Sequence, residues 1–138
     1  MKKFKVGYTQ GTFDTLHYGH INLLKNAKNY VDYLIVGVNS DELVKEYKKT
    51  ETVIKTNERV SIVEAIRYVD EVIVCETLDK NVHLEKLKFN VIFIGDDWKG
   101  SERWNKTEDD LNKLGVSVVY IPYTKSISTT IIKSKIKE

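Results

Sequence analysis

The sequence predicts an α/β fold in which an open, parallel five-stranded sheet is covered by helices on both faces. Five short apolar runs rich in Val and Ile alternate with segments of helical spacing, which is typical of buried parallel strands joined by helices. The unusual polar residues follow the strands, where open parallel sheets bind ligands. The length of 138 residues suits one domain, so we expect a single domain over residues 1–138.

The predicted strands are apolar runs bounded by polar or turn residues. In chain order they are FKVGYT (4–9), YLIVGVN (33–39), EVIVC (71–75), VIFIG (91–95) and VSVVYIP (116–122). β-branched residues predominate in these runs, as expected for strands that are buried on both faces.

The segments between the strands repeat apolar residues at helical spacing, as in helices that pack on a sheet. The predicted helices cover 18–30, 57–69, 80–89 and 107–114, and a last one begins near Ser128. Asn57 and Thr107 are the predicted N-caps of two of them, because their side chains can accept backbone N–H groups. The polar segment after the second strand is interpreted as a loop, and the loop after the third strand contains no residues that suggest a site.

Charge balance and cysteine content exclude several classes of protein. The net charge is +2, which argues against a nucleic-acid partner. We recognise no signal peptide and no apolar stretch of about 18 residues, so no membrane association is expected. Cys75 is the single cysteine and cannot form an internal disulfide, which is compatible with a reducing compartment. We therefore expect a cytoplasmic protein.

The stretch GTFDTLHYGH (11–20) joins the first strand to the first helix and has the composition of an anion site. Gly11 allows close approach to the backbone, and Thr12 and Phe13 offer N–H groups there. The following helix presents free N–H groups and the positive end of its dipole to the same space. The stretch therefore predicts a phosphate site.

Two histidines strengthen this prediction. His17 and His20 are three residues apart and fall on one face of the first helical turn. Gly19 between them has no side chain that would block a phosphate. The stretch is neither the dinucleotide fingerprint nor a Walker loop. A metal held by the two histidines lacks an obvious third ligand, so no metal-ligating residue is assigned.

Four blocks resemble the cytidylyltransferases of the HxGH nucleotidyltransferase superfamily, in order and spacing. They are GTFDTLHYGH (11–20), RYVDEVI (67–73), GDDWKG (95–100) and ISTT (127–130). The resemblance covers essentially the whole chain. It implies the Rossmann-like fold of the nucleotidyltransferase α/β phosphodiesterase type.

The resemblance also implies an activity, the transfer of CMP from CTP to a small phosphoalcohol with Mg²⁺ as cofactor. Glycerol 3-phosphate is the leading acceptor, and phosphoethanolamine and phosphocholine are alternatives. An adenylyltransferase and a non-catalytic nucleotide-binding module also remain as alternatives. The implied oligomer is a homodimer that pairs through residues 67–73.

Roles for individual residues follow from the same resemblance. His17, His20 and Lys48 are the implied catalytic residues, which hold phosphate oxygens. Asp14 is expected to order the loop that it occupies. The remaining implied nucleotide contacts are Thr12, Phe13, Gly19, Gly95, Asp97, Ser128 and Thr129.

The implied acceptor side is more varied. It comprises Arg59, Arg67, Trp98, Arg103, Tyr123 and Lys125. Arg67 belongs to the block near the implied dimer contact. Tyr123 stands where the family has an arginine, and Arg103 or Lys125 is expected to replace the missing charge.

Overall fold

The computed structural model describes residues 2–96 and 99–122. Five strands form one sheet in the order β3-β2-β1-β4-β5, and every neighbouring pair is parallel. The strands are β1 (Phe4–Gly11), β2 (Val31–Asn39), β3 (Glu71–Cys75), β4 (Val91–Gly95) and β5 (Ser117–Ile121). The predicted fold class and all five predicted strands are confirmed.

Helices cover both faces of the sheet. They are α1 (Tyr18–Lys28), α2 (Asp41–Lys48), α3 (Thr56–Glu64), α4 (Lys80–Leu87) and α5 (Glu102–Lys113). Leu24 of α1 and Val63 of α3 belong to one core cluster, whereas Trp104 and Leu111 of α5 belong to a second. None of the helices in the described ranges is both long and apolar enough to cross a membrane.

Two helix predictions are corrected by the caps that the chain uses. The polar segment after β2 contains α2, because the Ser40 hydroxyl accepts the Leu43 N–H at 3.1 Å and starts a helix. Helix α5 begins five residues earlier than predicted, with Ser101 as its N-cap. Thr107 is therefore not a cap, and its hydroxyl donates to the Arg103 carbonyl at 2.9 Å within the helix.

The start of α3 is fixed by a contact with α2. The Thr56 hydroxyl accepts the Asp41 N–H at 2.8 Å, and the Asp41 carboxylate accepts the Thr56 N–H at 3.2 Å. The helix consequently begins at Thr56, and the predicted cap Asn57 lies inside it. It ends at Glu64 rather than at residue 69, because Asp70 already hydrogen-bonds Leu34 of β2 through its backbone N–H.

The order of the strands determines where a ligand can bind. β1 lies between β2 and β4. The first half of the chain therefore adds β2 and β3 on one side of β1, and the second half adds β4 and β5 on the other. Such a switch point leaves a crevice beyond the carboxyl ends of the strands. The β1–α1 stretch that contains both histidines lies at this position.

Candidate functional site

A cleft of about 230 Å³ opens at the carboxyl edge of the sheet. Residues that follow β1, β2 and β3, together with the end of β4 and the first turn of α5, line it. Three of the lining residues are cations, namely Lys48, Lys80 and Arg103, and within residues 2–96 and 99–122 no acidic residue lines it. The cleft therefore favours an anionic ligand.

The two histidines form a reciprocal cap at the first turn of α1. His17 Nδ1 accepts the Gly19 N–H at 3.0 Å, and His20 Nδ1 accepts the His17 N–H at 3.1 Å. The rings stack with their centroids 4.0 Å apart. A ring whose Nδ1 accepts a hydrogen bond carries its proton on Nε2 when neutral. Both rings consequently have an Nε2–H group that their caps do not use.

The surroundings keep both rings neutral at pH 7. Burial, and then the positive charge of a protonated His17, lower the pKa of His20 to about 4. Burial also lowers the pKa of His17. Two neutral N–H donors beside a helix N-terminus are suited to phosphate oxygens, which accept hydrogen bonds.

The loop that precedes the histidines has an unusual backbone conformation. Phe13 and Thr15 have positive φ angles of 56° and 51°. The Asp14 carboxylate accepts the Val53 and Ile54 N–H groups at 2.8 and 2.9 Å. The predicted loop-ordering role of Asp14 is confirmed. A side chain at Gly11 would meet the Phe13 ring at 3.0 Å, so this glycine makes room for Phe13 as well as for a ligand.

Arg59 has a different role from the predicted contact with the acceptor phosphate. Its side chain is fully buried, and each of its five N–H groups donates within the protein. Two of these bonds reach the Thr12 and Asn39 carbonyls, both at 2.7 Å. Arg59 therefore joins the segments after β1 and β2 and has no N–H group left for a ligand.

Arg59 also pairs with a carboxylate. Its guanidinium lies 2.7 Å from Asp41. Partial burial acts to raise the pKa of Asp41, but hydrogen bonds from Thr52, Arg59 and Thr56 outweigh it and hold the pKa well below its usual range. Asp41 therefore remains ionised at neutral pH, and the pair supports the segments after β1 and β2 that line the cleft.

Arg67 lies away from the cleft. It precedes β3, so it is at the amino end of that strand, whereas the cleft is at the carboxyl ends. Its guanidinium lies 5.4 Å from the Tyr68 ring centroid, and the side chain is exposed. The structure thus places Arg67 away from the cleft of its own chain, and its contact with the acceptor stays a prediction. Asp70 of the same block binds Lys28 at 2.6 Å.

Lys48 lies at the carboxyl edge of the sheet, but it belongs to a helix and not to the predicted loop. It occupies the last turn of α2 and lines the cleft, 5.8 Å from the Tyr47 ring centroid. Lys45 and Lys49 do not line the cleft. Gly95 ends β4, and Arg103 lines the cleft from α5. Six predicted site residues lie outside the described residues, namely Asp97, Trp98, Tyr123, Lys125, Ser128 and Thr129.

The sequence did not predict a network of polar side chains at the floor of the cleft. Lys80 Nζ donates to Gln10 Oε1 at 2.7 Å, and Gln10 Nε2 donates to Asn39 Oδ1 at 2.7 Å. The Asn39 amide continues to the Tyr47 hydroxyl at 3.2 Å. Burial, and then the charge of Arg103, lower the pKa of Lys80 to about 8. The position of Lys80 in the sequence could have indicated a site residue, because Lys80 also follows the carboxyl end of a strand.

Residues 2–96 and 99–122 contain no group of three His, Cys, Asp or Glu side chains that could hold a metal ion. Mg²⁺ is usually bound through one or two carboxylates together with substrate phosphates. The donors present therefore fit an ion that arrives on a nucleotide better than one held by protein ligands alone.

Comparison with curated proteins gives matches along most of the chain. Glycerol-3-phosphate cytidylyltransferase of Bacillus subtilis (strain 168) is 41% identical over 129 residues, which are 93% of this chain and 94% of that protein. The protein of the same name from Staphylococcus aureus (strain NCTC 8325 / PS 47) is 39% identical over 129 residues, 93% and 92% of the two chains. FAD synthase of Pyrococcus abyssi is 40% identical over 114 residues, 82% and 77%.

A solved structure confirms the fold. The lipopolysaccharide core biosynthesis protein from Thermoplasma volcanium superposes with a TM-score of 0.73 at 28% identity, covering 88% of this chain and 98% of that one. The family described as Cytidylyltransferase-like matches residues 8–135. The resemblance found in the sequence is thus confirmed, and the chain belongs to the cytidylyltransferase-like family of enzymes.

Proposed function

We propose that the protein transfers CMP from CTP to glycerol 3-phosphate, with CDP-glycerol and pyrophosphate as products. The observation that carries this proposal is the pair of Nε2–H donors on His17 and His20, positioned by the first turn of α1. The relatives named glycerol-3-phosphate cytidylyltransferase support this choice of acceptor. Relatives named FAD synthase and ethanolamine-phosphate cytidylyltransferase make the acceptor the part of the proposal to test first.

The proposed reaction is a direct displacement at the α-phosphorus of CTP. A phosphate oxygen of the acceptor forms the new P–O bond, and the bond from the α-phosphorus to the bridging oxygen breaks. Pyrophosphate leaves with the electron pair of that bond. Such transfers depend mainly on positioning and on stabilising charge at the phosphate oxygens. The two neutral histidines and Lys48 would supply that stabilisation.

The other nucleotide contacts are proposals that rest on the family resemblance. The backbone around Thr12 and Phe13 would approach the phosphates, and Gly19 would leave them room. Near the end of β4, Gly95 and Asp97 would hold the ribose. Ser128 and Thr129 would bind the terminal phosphates. Mg²⁺ would enter with the triphosphate, as in other nucleotide-dependent transferases.

We also propose a homodimer that pairs through residues 67–73 and the edge strand β3. Support comes from exposed apolar side chains near that edge, including Ile62 and Val74, which are 38% and 48% exposed. Asp70 is already bound to Lys28 within the chain, whereas Arg67 is a charged group of the block that could pair with a partner. Light scattering should give twice the 16.0 kDa chain mass. A monomer at micromolar concentration would refute the dimer.

One assay tests the proposed reaction. The purified protein is incubated with CTP, Mg²⁺ and glycerol 3-phosphate, phosphoethanolamine or phosphocholine, and pyrophosphate release and the nucleotide product are measured. We expect the highest kcat/KM with glycerol 3-phosphate, and CTP should exceed ATP. Faster turnover with another acceptor or with ATP would replace the proposal. Absence of turnover with every pair would indicate a binding module instead.

A further inference from the structure

The last turn of α2, residues 45–48, lies at the carboxyl edge of the sheet and carries Lys48. Its four side chains are all exposed, whereas the buried residues of the helix, Leu43 and Val44, come before it. A helix of eight residues is too short to be stable on its own. The position of Lys48 therefore depends on what fastens this turn to the rest of the chain.

The side chain of Tyr47 fastens this turn to the sheet. Its hydroxyl lies 3.1 Å from Thr12 Oγ1, just after β1, and accepts the side-chain amide of Asn39, at the end of β2, at 3.2 Å. Within residues 2–96 and 99–122, the other three side chains of the turn form no ion pair and no hydrogen bond to another element. The Tyr47 hydroxyl is therefore the polar tether of the turn in the described part of the chain.

The groups to which Tyr47 is tied are themselves fixed. The carbonyls of Thr12 and Asn39 both accept N–H groups of Arg59 at 2.7 Å. Gln10 Nε2 donates to Asn39 Oδ1 at 2.7 Å, which directs the amide N–H groups of Asn39 towards Tyr47. The Asn39 side chain is also buried. A hydroxyl bound to these groups is consequently held against the ends of two neighbouring strands.

The tether acts on the backbone directly beside Lys48. Tyr47 and Lys48 both line the cleft, and Lys48 Nζ lies 5.8 Å from the Tyr47 ring centroid. On the other side of Lys48, Lys49 has a φ angle of 60°, a left-handed conformation that ends the helix. A lysine side chain has many rotamers, and a fixed backbone lowers the entropy that it must lose to meet a ligand.

We propose that Tyr47 is a positioning residue, whose hydroxyl fastens the last turn of α2 to the end of β1 and so holds Lys48 where the nucleotide phosphates bind. This inference rests on the proposed function for the role of Lys48. Tyr47 brings no charge of its own to the cleft and acts through its neighbour. Without the hydroxyl the turn opens more often, and part of the binding free energy of the nucleotide is needed to close it.

A double-mutant cycle tests whether Tyr47 acts through Lys48. Tyr47→Phe removes the hydroxyl and keeps the ring, and kcat/KM for CTP should fall about 3- to 10-fold, the factor that one hydrogen bond supplies. In Lys48→Met the same change should have less than about a twofold effect, because the cation that it positions is gone. Tyr30→Phe is the matched control, since Tyr30 and Tyr47 are 37% and 36% exposed, and it should leave turnover unchanged.

Two further measurements on the full chain require no turnover. The Lys49 N–H closes the last turn on the Lys45 carbonyl at 3.1 Å, so its hydrogen exchange reports how often the turn opens. Tyr47→Phe should speed this exchange about 3- to 10-fold and weaken the binding of CTP with Mg²⁺, titrated without an acceptor, by a similar factor. Lys48→Met should weaken CTP binding without speeding the exchange, and Tyr30→Phe should change neither.

The inference and the proposed function can fail separately. Unchanged exchange at Lys49, unchanged turnover in Tyr47→Phe, or an equal effect of Tyr47→Phe with and without Lys48 would overturn the inference. Faster exchange and a Lys48-dependent loss of CTP affinity, in a protein that turns over no acceptor, would support the inference while refuting the proposed function.

Discussion

The two sides of the β1 carboxyl end present donors of different electrical character. On the α1 side, two neutral imidazoles are held by backbone N–H groups. On the α4 and α5 side, Lys80 and Arg103 bring formal positive charge to the cleft. Preorganised neutral donors mainly stabilise charge that develops during a reaction, whereas fixed cations attract a ligand that is already an anion.

Arg59 supports both sides, and its loss should have the largest effect. Arg59→Met removes five hydrogen bonds and leaves Asp41 without its cationic partner. We expect the free energy of unfolding to fall by about 3–5 kcal/mol, the usual cost of breaking a buried pair. Urea denaturation measures this loss. Lys86→Met at an exposed site of α4 is the control and should stay within about 0.5 kcal/mol of wild type.

The histidine side can be divided into its capping and its donor role. His17→Ala should lower kcat by about 10²- to 10³-fold, as for other preorganised donors to developing charge. His17→Asn can still accept the Gly19 N–H as an N-cap but has no Nε2–H. Steady-state kinetics and thermal melting of both variants separate the roles. We expect Asn to restore Tm and not kcat, and near-wild-type turnover of a folded variant would contradict the donor role.

Low pH should lower the free energy of unfolding through the histidines at the start of α1. The pKa of His20 is about 4 in the folded protein against an unperturbed 6.5, so folding favours the neutral ring. Its contribution to stability is complete above pH 6.5 and is lost as the pH falls from 6.5 towards 4. We expect a loss on the order of 1–3 kcal/mol from this residue.

Urea denaturation at pH 7 and at pH 4.5 checks this expectation. His17 and His83 also have lowered pKa values and add to the total. The variant His20→Asn isolates the share of His20, and its stability should depend less on pH than that of wild type. An equal dependence in the two proteins would count against the assignment.

High pH should weaken anion binding on the side of Lys80 and Arg103, and this is the smallest expected effect. The pKa of Lys80 is about 8 before an anion binds, so its charge is lost as the pH rises through 8. Between pH 7 and 9 the Kd for inorganic phosphate should rise by up to about tenfold, which follows from one unit of titration. In Lys80→Arg the charge persists and the rise should disappear. A rise that persists in this variant would assign the titration to another group.

The features that the sequence predicted are those whose signals lie within a few consecutive residues. The five strands were readable because Val and Ile runs are continuous, and the histidine pair was readable because both residues and their cap lie within four positions. Helix α2 was not predicted, although Ser40 is a local capping signal, because the segment is rich in charged residues and was interpreted as a loop. Thr107 was the predicted cap of α5, but the earlier start at Ser101 brings Trp104 into the core beside Leu111.

The remaining errors concern contacts between distant parts of the chain. The guanidinium of Arg59 contacts a carbonyl 47 residues away at Thr12, which no spacing rule reveals. Lys80 reaches Gln10 across 70 residues, so its loop contained nothing that suggested a site. Such partners become neighbours only through the strand order, in which β1 lies beside β2 and β4.

The reciprocal cap of α1 also determines when the site loses its freedom of movement. Each histidine side chain is fixed by a bond that the first helical turn needs in any case. The conformational entropy of both rings is therefore lost when the chain folds and not when a nucleotide arrives. A nucleotide meets donors that are already ordered, so little of its binding free energy is needed to arrange them.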